Sequence, residues 1–216
     1  MTENNEHLKN LSEIRSIMER SSRFISLSGL SGVFAGLIAL LGAAAVYFYF
    51  NDYFNPRYYN MGVFTKNELM RDRELYLFIL FMLCDGIIVL ALSLTAAVFF
   101  TTRNARKKGL KVWDNTAKRT LINLFIPLAA GGFFCMALLF HGKIYLIAPA
   151  TLLFYGLALI NASKYTLNDI RYLGISELIL GIAASFFVGY GLIAWAIGFG
   201  VLHIVYGIIM YTKYER

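Results

Sequence analysis

A chain of 216 residues with 58% hydrophobic and only 15% charged residues, at a mean hydropathy of +0.61, is not that of a water-soluble domain; such a domain is nearer half apolar and a quarter charged. The net charge of +7 invites a nucleic-acid reading. The positions of the basic residues assign it instead to membrane orientation, and nucleic acid is not expected as a partner. Cys84 and Cys135 both lie in apolar runs without a Cys-x-x-Cys, and His7, His141 and His203 are scattered, so no disulfide, metal site or cofactor is expected.

Residues 1–24 place Leu8, Leu11, Ile14, Ile17 and Met18 at helical spacing with charges between them. This predicts a cytoplasmic amphipathic helix that lies on the membrane surface or docks a partner. Residues 25–216 read as an all-α, six-helix transmembrane bundle with short loops, its spans at about 25–50, 75–100, 120–140, 144–162, 172–189 and 192–211. Most reach the roughly 20 residues needed to cross a bilayer. Ala43-Ala44-Ala45 imitates a cleavage site, but four acids and four bases precede the first run and Val46-Tyr47-Phe48-Tyr49-Phe50 prolongs it. The run is read as a retained span.

The segment 51–74 is rich in tyrosine and suits the headgroup region. Within it, Thr65-Lys66-Asn67-Glu68 has the spacing of a capping box that would start the second helix near Lys66. That second run holds Asp85. Sixteen Leu, Ile, Phe and Val residues between Leu75 and Phe100 return roughly 5–10 kcal/mol of insertion energy against roughly 2.5–3.5 for a central Asp. The carboxyl group can therefore enter the bilayer, where it turns toward other helices.

Next comes a basic stretch with Arg103, Arg106, Lys107, Lys108 and Lys111, expected to orient the chain and to meet anionic lipid headgroups. Pro127 and Pro149 are tolerated within spans for packing reasons.

The last four spans form two hairpins, with turns near His141-Gly142-Lys143 and Gly189-Tyr190-Gly191. Thr166-Leu167-Asn168-Asp169 offers a capping box that would begin the fifth helix near Leu167. Antiparallel register about Tyr190 puts Glu177 and His203 at one height, and register about Gly142 does the same for Asn123 and Asn161. Glu177 shares its face with Gly174 and Gly181, and His203 with Gly200 and Gly207; small residues mark close helix contacts in lipid. A buried polar core of Asp85, Glu177 and His203, with Asn123 and Asn161 deeper, is the expectation. It is either a proton- or cation-linked site or a set of inter-helix bonds.

With both ends inside, 15 of the 20 lysines and arginines fall on the cytoplasmic side, a positive-inside bias. Ser21-Ser22-Arg23-Phe24 leading into Leu27-Ser28-Gly29-Leu30-Ser31-Gly32, and Tyr155-Gly156 through Lys164-Tyr165, resemble a group of small six-span bacterial inner-membrane proteins without an established activity. The glycines of the last hairpin (Gly174, Gly181, Gly198, Gly200, Gly207) are similar in spacing to a hairpin unit of small acid-resistance membrane proteins. These resemblances imply a bacterial inner-membrane location and supply no functional residue. Gly29-Leu30-Ser31-Gly32-Val33-Phe34-Ala35-Gly36 with His203 and Gly207 also resembles the serine and histidine signatures of rhomboid intramembrane proteases. Counting heights separates Ser31 from His203, and a small-residue packing stripe is the plainer reading.

The expected function is non-enzymatic, with no catalytic residue: an accessory, sensor or partner-binding membrane protein. Its partners would be the bilayer, anionic lipids, and a protein or a second copy of the chain. A small proton- or cation-linked transporter or channel is the alternative, and an intramembrane hydrolase a remote one.

Overall fold

The computed structural model describes residues 27–49, 72–110 and 112–216, with backbone alone for 72–75. The amphipathic segment 1–24, the capping box at 65–68 and Lys111 lie outside the described residues. Every regular element described is helical. Five helices are apolar and long enough to cross a membrane.

Helix α1, Gly29–Tyr49, has 21 residues, about 31 Å. Helix α2, Asp72–Lys107, runs for 36 residues, about 54 Å. It continues a full two turns beyond the apolar run that ends at Phe100, because Arg106 and Lys107 in its last turn complement the negative end of the helix dipole. Helix α3, Asn115–Phe140, opens on Asp114, whose carboxylate accepts the N–H of Ala117 at 2.6 Å. Gly142 at φ 68° closes the turn that follows, a backbone region in which glycine alone is unstrained.

A 3-10 turn at Ile144–Leu146 leads into α4, Ile147–Ala162. Pro149 falls in the first turn of α4, where a missing N–H costs nothing. Helix α5, Asp169–Phe186, has 18 residues and starts two positions after Leu167; Thr166 before it is extended, the conformation usual for a residue that precedes a helix. Helix α6, Gly191–Tyr214, begins and ends as α-helix but passes through a π-helical stretch at Ala196–Leu202.

Laterally, α2 lies along α1, α1 packs on α6, α6 meets the α4–α5 pair, and α3 flanks α4. Two glycine crossings set these approaches. Gly156 of α4 and Gly174 of α5 each face the other's carbonyl oxygen so closely that a Cβ would overlap it, and Gly29 and Gly207 do the same between α1 and α6. The outer helices α2 and α3 leave large apolar side chains uncovered, among them Ile87 at 66% and Phe133 at 70% exposure. Such faces belong to a membrane-embedded protein whose solvent is hydrocarbon. The basic residues Arg103, Arg106, Lys107, Lys164 and Lys213 gather at one end of the bundle, opposite the turns at Gly142 and Gly189.

Candidate functional site

Glu177 projects from the middle of α5 into the seam between α4 and α6, and no part of its side chain is exposed. Leu152 of α4, also fully buried, closes one side. Gly198 of α6 closes another, and a methyl group there would overlap both Glu177 Oε2 and Leu152 Cδ2. The missing side chain at 198 is therefore what leaves room for the carboxyl group.

His203 completes the cluster. Its Nδ1 lies 3.0 Å from the carbonyl oxygen of Gly198 and 3.4 Å from Glu177 Oε1, while its Nε2 lies 2.8 Å from the hydroxyl of Tyr155 on α4. The π stretch widens the helix so that the carbonyl five residues back meets the imidazole rather than staying wholly within the backbone ladder. Phe199 stacks on the imidazole and tilts against the Tyr155 ring, with centroids 5.9 and 4.9 Å away.

These distances constrain the protons. Neither oxygen of Glu177 has a hydrogen-bond partner among the described residues. A bare carboxylate in that position beside a neutral imidazole would cost several kcal/mol. Two forms avoid the cost: neutral acid beside neutral imidazole, or carboxylate beside imidazolium. Both hold the same number of protons and differ only in whether the mobile one sits on the carboxyl group or on the imidazole. In the first form Nδ1–H donates to the Gly198 carbonyl and Nε2 accepts the Tyr155 O–H, so both imidazole nitrogens are used. Catalysis needs a reactant to reach the pair, and the described side chains leave it enclosed.

The sequence register brings other expected residues together as well. Asn161 Nδ2 donates to the backbone oxygen of Asn123 at 2.9 Å and to its Oδ1 at 3.2 Å, while Asn123 Nδ2 donates to the carbonyl of Arg119 at 2.9 Å.

Asp85 does not join the core expected of it. It is half-buried against Gly42 of α1. Gly36 of α1 is the residue that meets the Gly200 carbonyl of α6, so Asp85 sits about six residues, roughly 9 Å, further toward the opposite end. Helix α1 also stands between α2 and α6. Two things defeated the height count: α2 extends at least to Asp72, and lateral order cannot be read from apolar runs. The three-group core is thus Glu177 and His203 with Tyr155, and Asp85 is apart.

Ser31 donates to the carbonyl of Ser28, and the His203 ring nitrogens are taken by Tyr155 and Gly198, so the serine and histidine of the rhomboid-like signature are not partnered. Arg103, Arg106 and Lys107 are exposed on the last turns of α2, and Lys108 donates to the carbonyl of Tyr214 at 3.2 Å. Cys84 and Cys135 are free thiols, and no group of three metal-ligating side chains occurs among the described residues.

Sequence reasoning missed four contributors. Tyr155 enters it only within the stretch Tyr155-Gly156 through Lys164-Tyr165, and Gly198 only among the spaced glycines of the last hairpin; its position five before His203 is the available signal. At the basic end, Glu215 accepts the N–H of Gly29 and the hydroxyl of Ser28, capping α1 from the far end of the chain. Asp169 there accepts from Lys213 at 3.0 Å and from Tyr214 at 2.6 Å. Burial pushes the Asp169 carboxyl up, but these hydrogen bonds outweigh it and hold the group below its ordinary value. The chain matches no protein-family model, no curated protein and no solved structure, so the functional reading rests on this geometry.

Proposed function

We propose that the chain is a multi-pass protein of a bacterial inner membrane, with both ends cytoplasmic and no enzymatic activity. In this reading it acts as an accessory or sensor protein by contact with lipid or with a partner. The Glu177–His203–Tyr155 cluster locks α4, α5 and α6 in register. The positive-inside distribution supports the orientation, since Arg103, Arg106, Lys107, Lys164 and Lys213 share one end.

The observation that carries the reading is the sealed environment of Glu177, at 0% exposure and filled in by Leu152 and Gly198. A carrier must expose its coupling group to water in turn on each side, and its binding residues are set around unwound helix ends at the midplane. A cluster closed by a fully buried leucine and a glycine backbone suits a register lock.

The test is flux. Protein reconstituted into vesicles with an internal pH dye is expected to pass protons no faster than empty vesicles, and Glu177→Gln is expected to change nothing. A proton or cation flux that Glu177→Gln abolishes would overturn the reading in favour of a small transporter.

A further inference from the structure

We propose that the basic end of α2 is a binding site for one anionic phospholipid, its phosphate held by Arg103, Arg106 and Lys107 and an acyl chain lying along Leu94, Val98 and Phe99. These six residues share one face of α2, along an open groove of about 850 Å³ whose described lining comes from that helix alone. The lining changes character along its length, with apolar side chains at one end and cations at the other, which is the pattern of a phospholipid and not of a free anion.

Charge complementarity names the occupant. Among the described residues, the side chains of Arg103, Arg106 and Lys107 have no ion-pair or hydrogen-bond partner, and the acids at the same end are committed elsewhere. Glu215 caps α1, Asp114 caps α3, and Asp169 holds Lys213 and Tyr214. Lys108, the next cation along, is drawn off to the Tyr214 carbonyl and is not counted in the site. Among the described residues no acid balances these three cations, which lie within five residues of a helix end and exceed what the helix dipole, about half a charge, can balance. Leu94, Val98 and Phe99 are each more than half exposed, so the apolar wall is available to a lipid chain. This inference rests on the proposed inward orientation, since the anionic leaflet lies on that side.

The experiment is native mass spectrometry of the full chain in neutral detergent, titrated with phosphatidylglycerol, with phosphatidylcholine and with inorganic phosphate. One phosphatidylglycerol per chain is expected to bind in preference to both of the others. The triple variant Arg103→Gln, Arg106→Gln, Lys107→Gln is expected to lose on the order of 100-fold in that affinity. A charge-matched triple at the same end, Lys118→Gln, Lys164→Gln, Arg171→Gln, is expected to keep it. Equal loss in both triples, equal binding of phosphatidylcholine or phosphate, or displacement of the lipid by an acidic peptide would each overturn the site. Should the first triple fail to fold, Arg106→Gln and Phe99→Ala, both on exposed side chains, must each weaken phosphatidylglycerol binding, or the proposal falls. None of these outcomes depends on the vesicle flux, so this site and the register lock stand or fall separately.

Discussion

Glu177 owes its place to shape, because Gly198 has no Cβ and leaves it room, while its removal from water costs free energy. That arrangement separates shape from charge, and three substitutions read them independently. Glu177→Gln keeps the volume and the neutral total of the pair, so it should cost about 1 kcal/mol or less. Glu177→Ala empties a fully enclosed volume beside His203, with an expected loss of about 2–4 kcal/mol. Gly198→Ala drives a methyl group into Glu177 and Leu152 and should cost about 1–3 kcal/mol. Thermal unfolding in a mild detergent measures all three. A Glu177→Gln protein as unstable as Glu177→Ala would mean that the carboxylate charge is needed, and the neutral-acid form would be wrong.

Among the elements, the interiors of the helices were legible because hydropathy reports which residues can meet hydrocarbon. Their ends were not, because a helix can continue into water. Helix α2 passes Phe100 and takes in Arg103 to Lys107, a stretch that composition alone marks as a loop. The start of α5 at Asp169 lies two residues from the expected Leu167, but the spacing of Thr166 and Asp169 does not disclose that Asp169 turns its carboxylate to Lys213 and Tyr214 of α6. The π stretch of α6 left no mark, since Gly198 and Gly200 are equally at home in an ordinary packing face. The Asp169 clasp carries its own pH dependence. Its carboxyl is held below the ordinary value in the folded protein, so the clasp stabilises at neutral pH and fades as pH falls through that lowered value. Lys213 is half exposed, so screening by solvent keeps the contribution small. Asp169→Asn should therefore lower the unfolding temperature slightly at pH 7 and lose its effect in acid; an equal deficit at both pH values would show that the carboxylate charge plays no part.

For the molecule as a whole, a tight turn fixes the register of its two helices, which is why Glu177 with His203 and Asn123 with Asn161 could be paired by number alone. No such constraint links α2 to α6, and the close packing of α1 on α6 through Gly29 and Gly207 inserts a helix between Asp85 and His203. Lateral order is a property of which small-residue faces find each other, and it emerges only when all the helices are assembled. Vertical order is simpler, and it supplies the test of orientation. Lys143 stands at the turn between α3 and α4, and Lys164 follows the other end of α4. The 16 residues of α4 and the turns around it separate them by about 30 Å, the thickness of a bilayer core. With Cys84 and Cys135 replaced by alanine, Lys143→Cys should react with a membrane-impermeant maleimide on intact cells, and Lys164→Cys only after the cells are opened. The reverse pattern would invert the protein in the membrane and move the α2 cations to the outer leaflet, away from the anionic lipid they are proposed to hold. Labelling of both from outside would mean that α4 does not cross the bilayer and that the Glu177 seam opens to water.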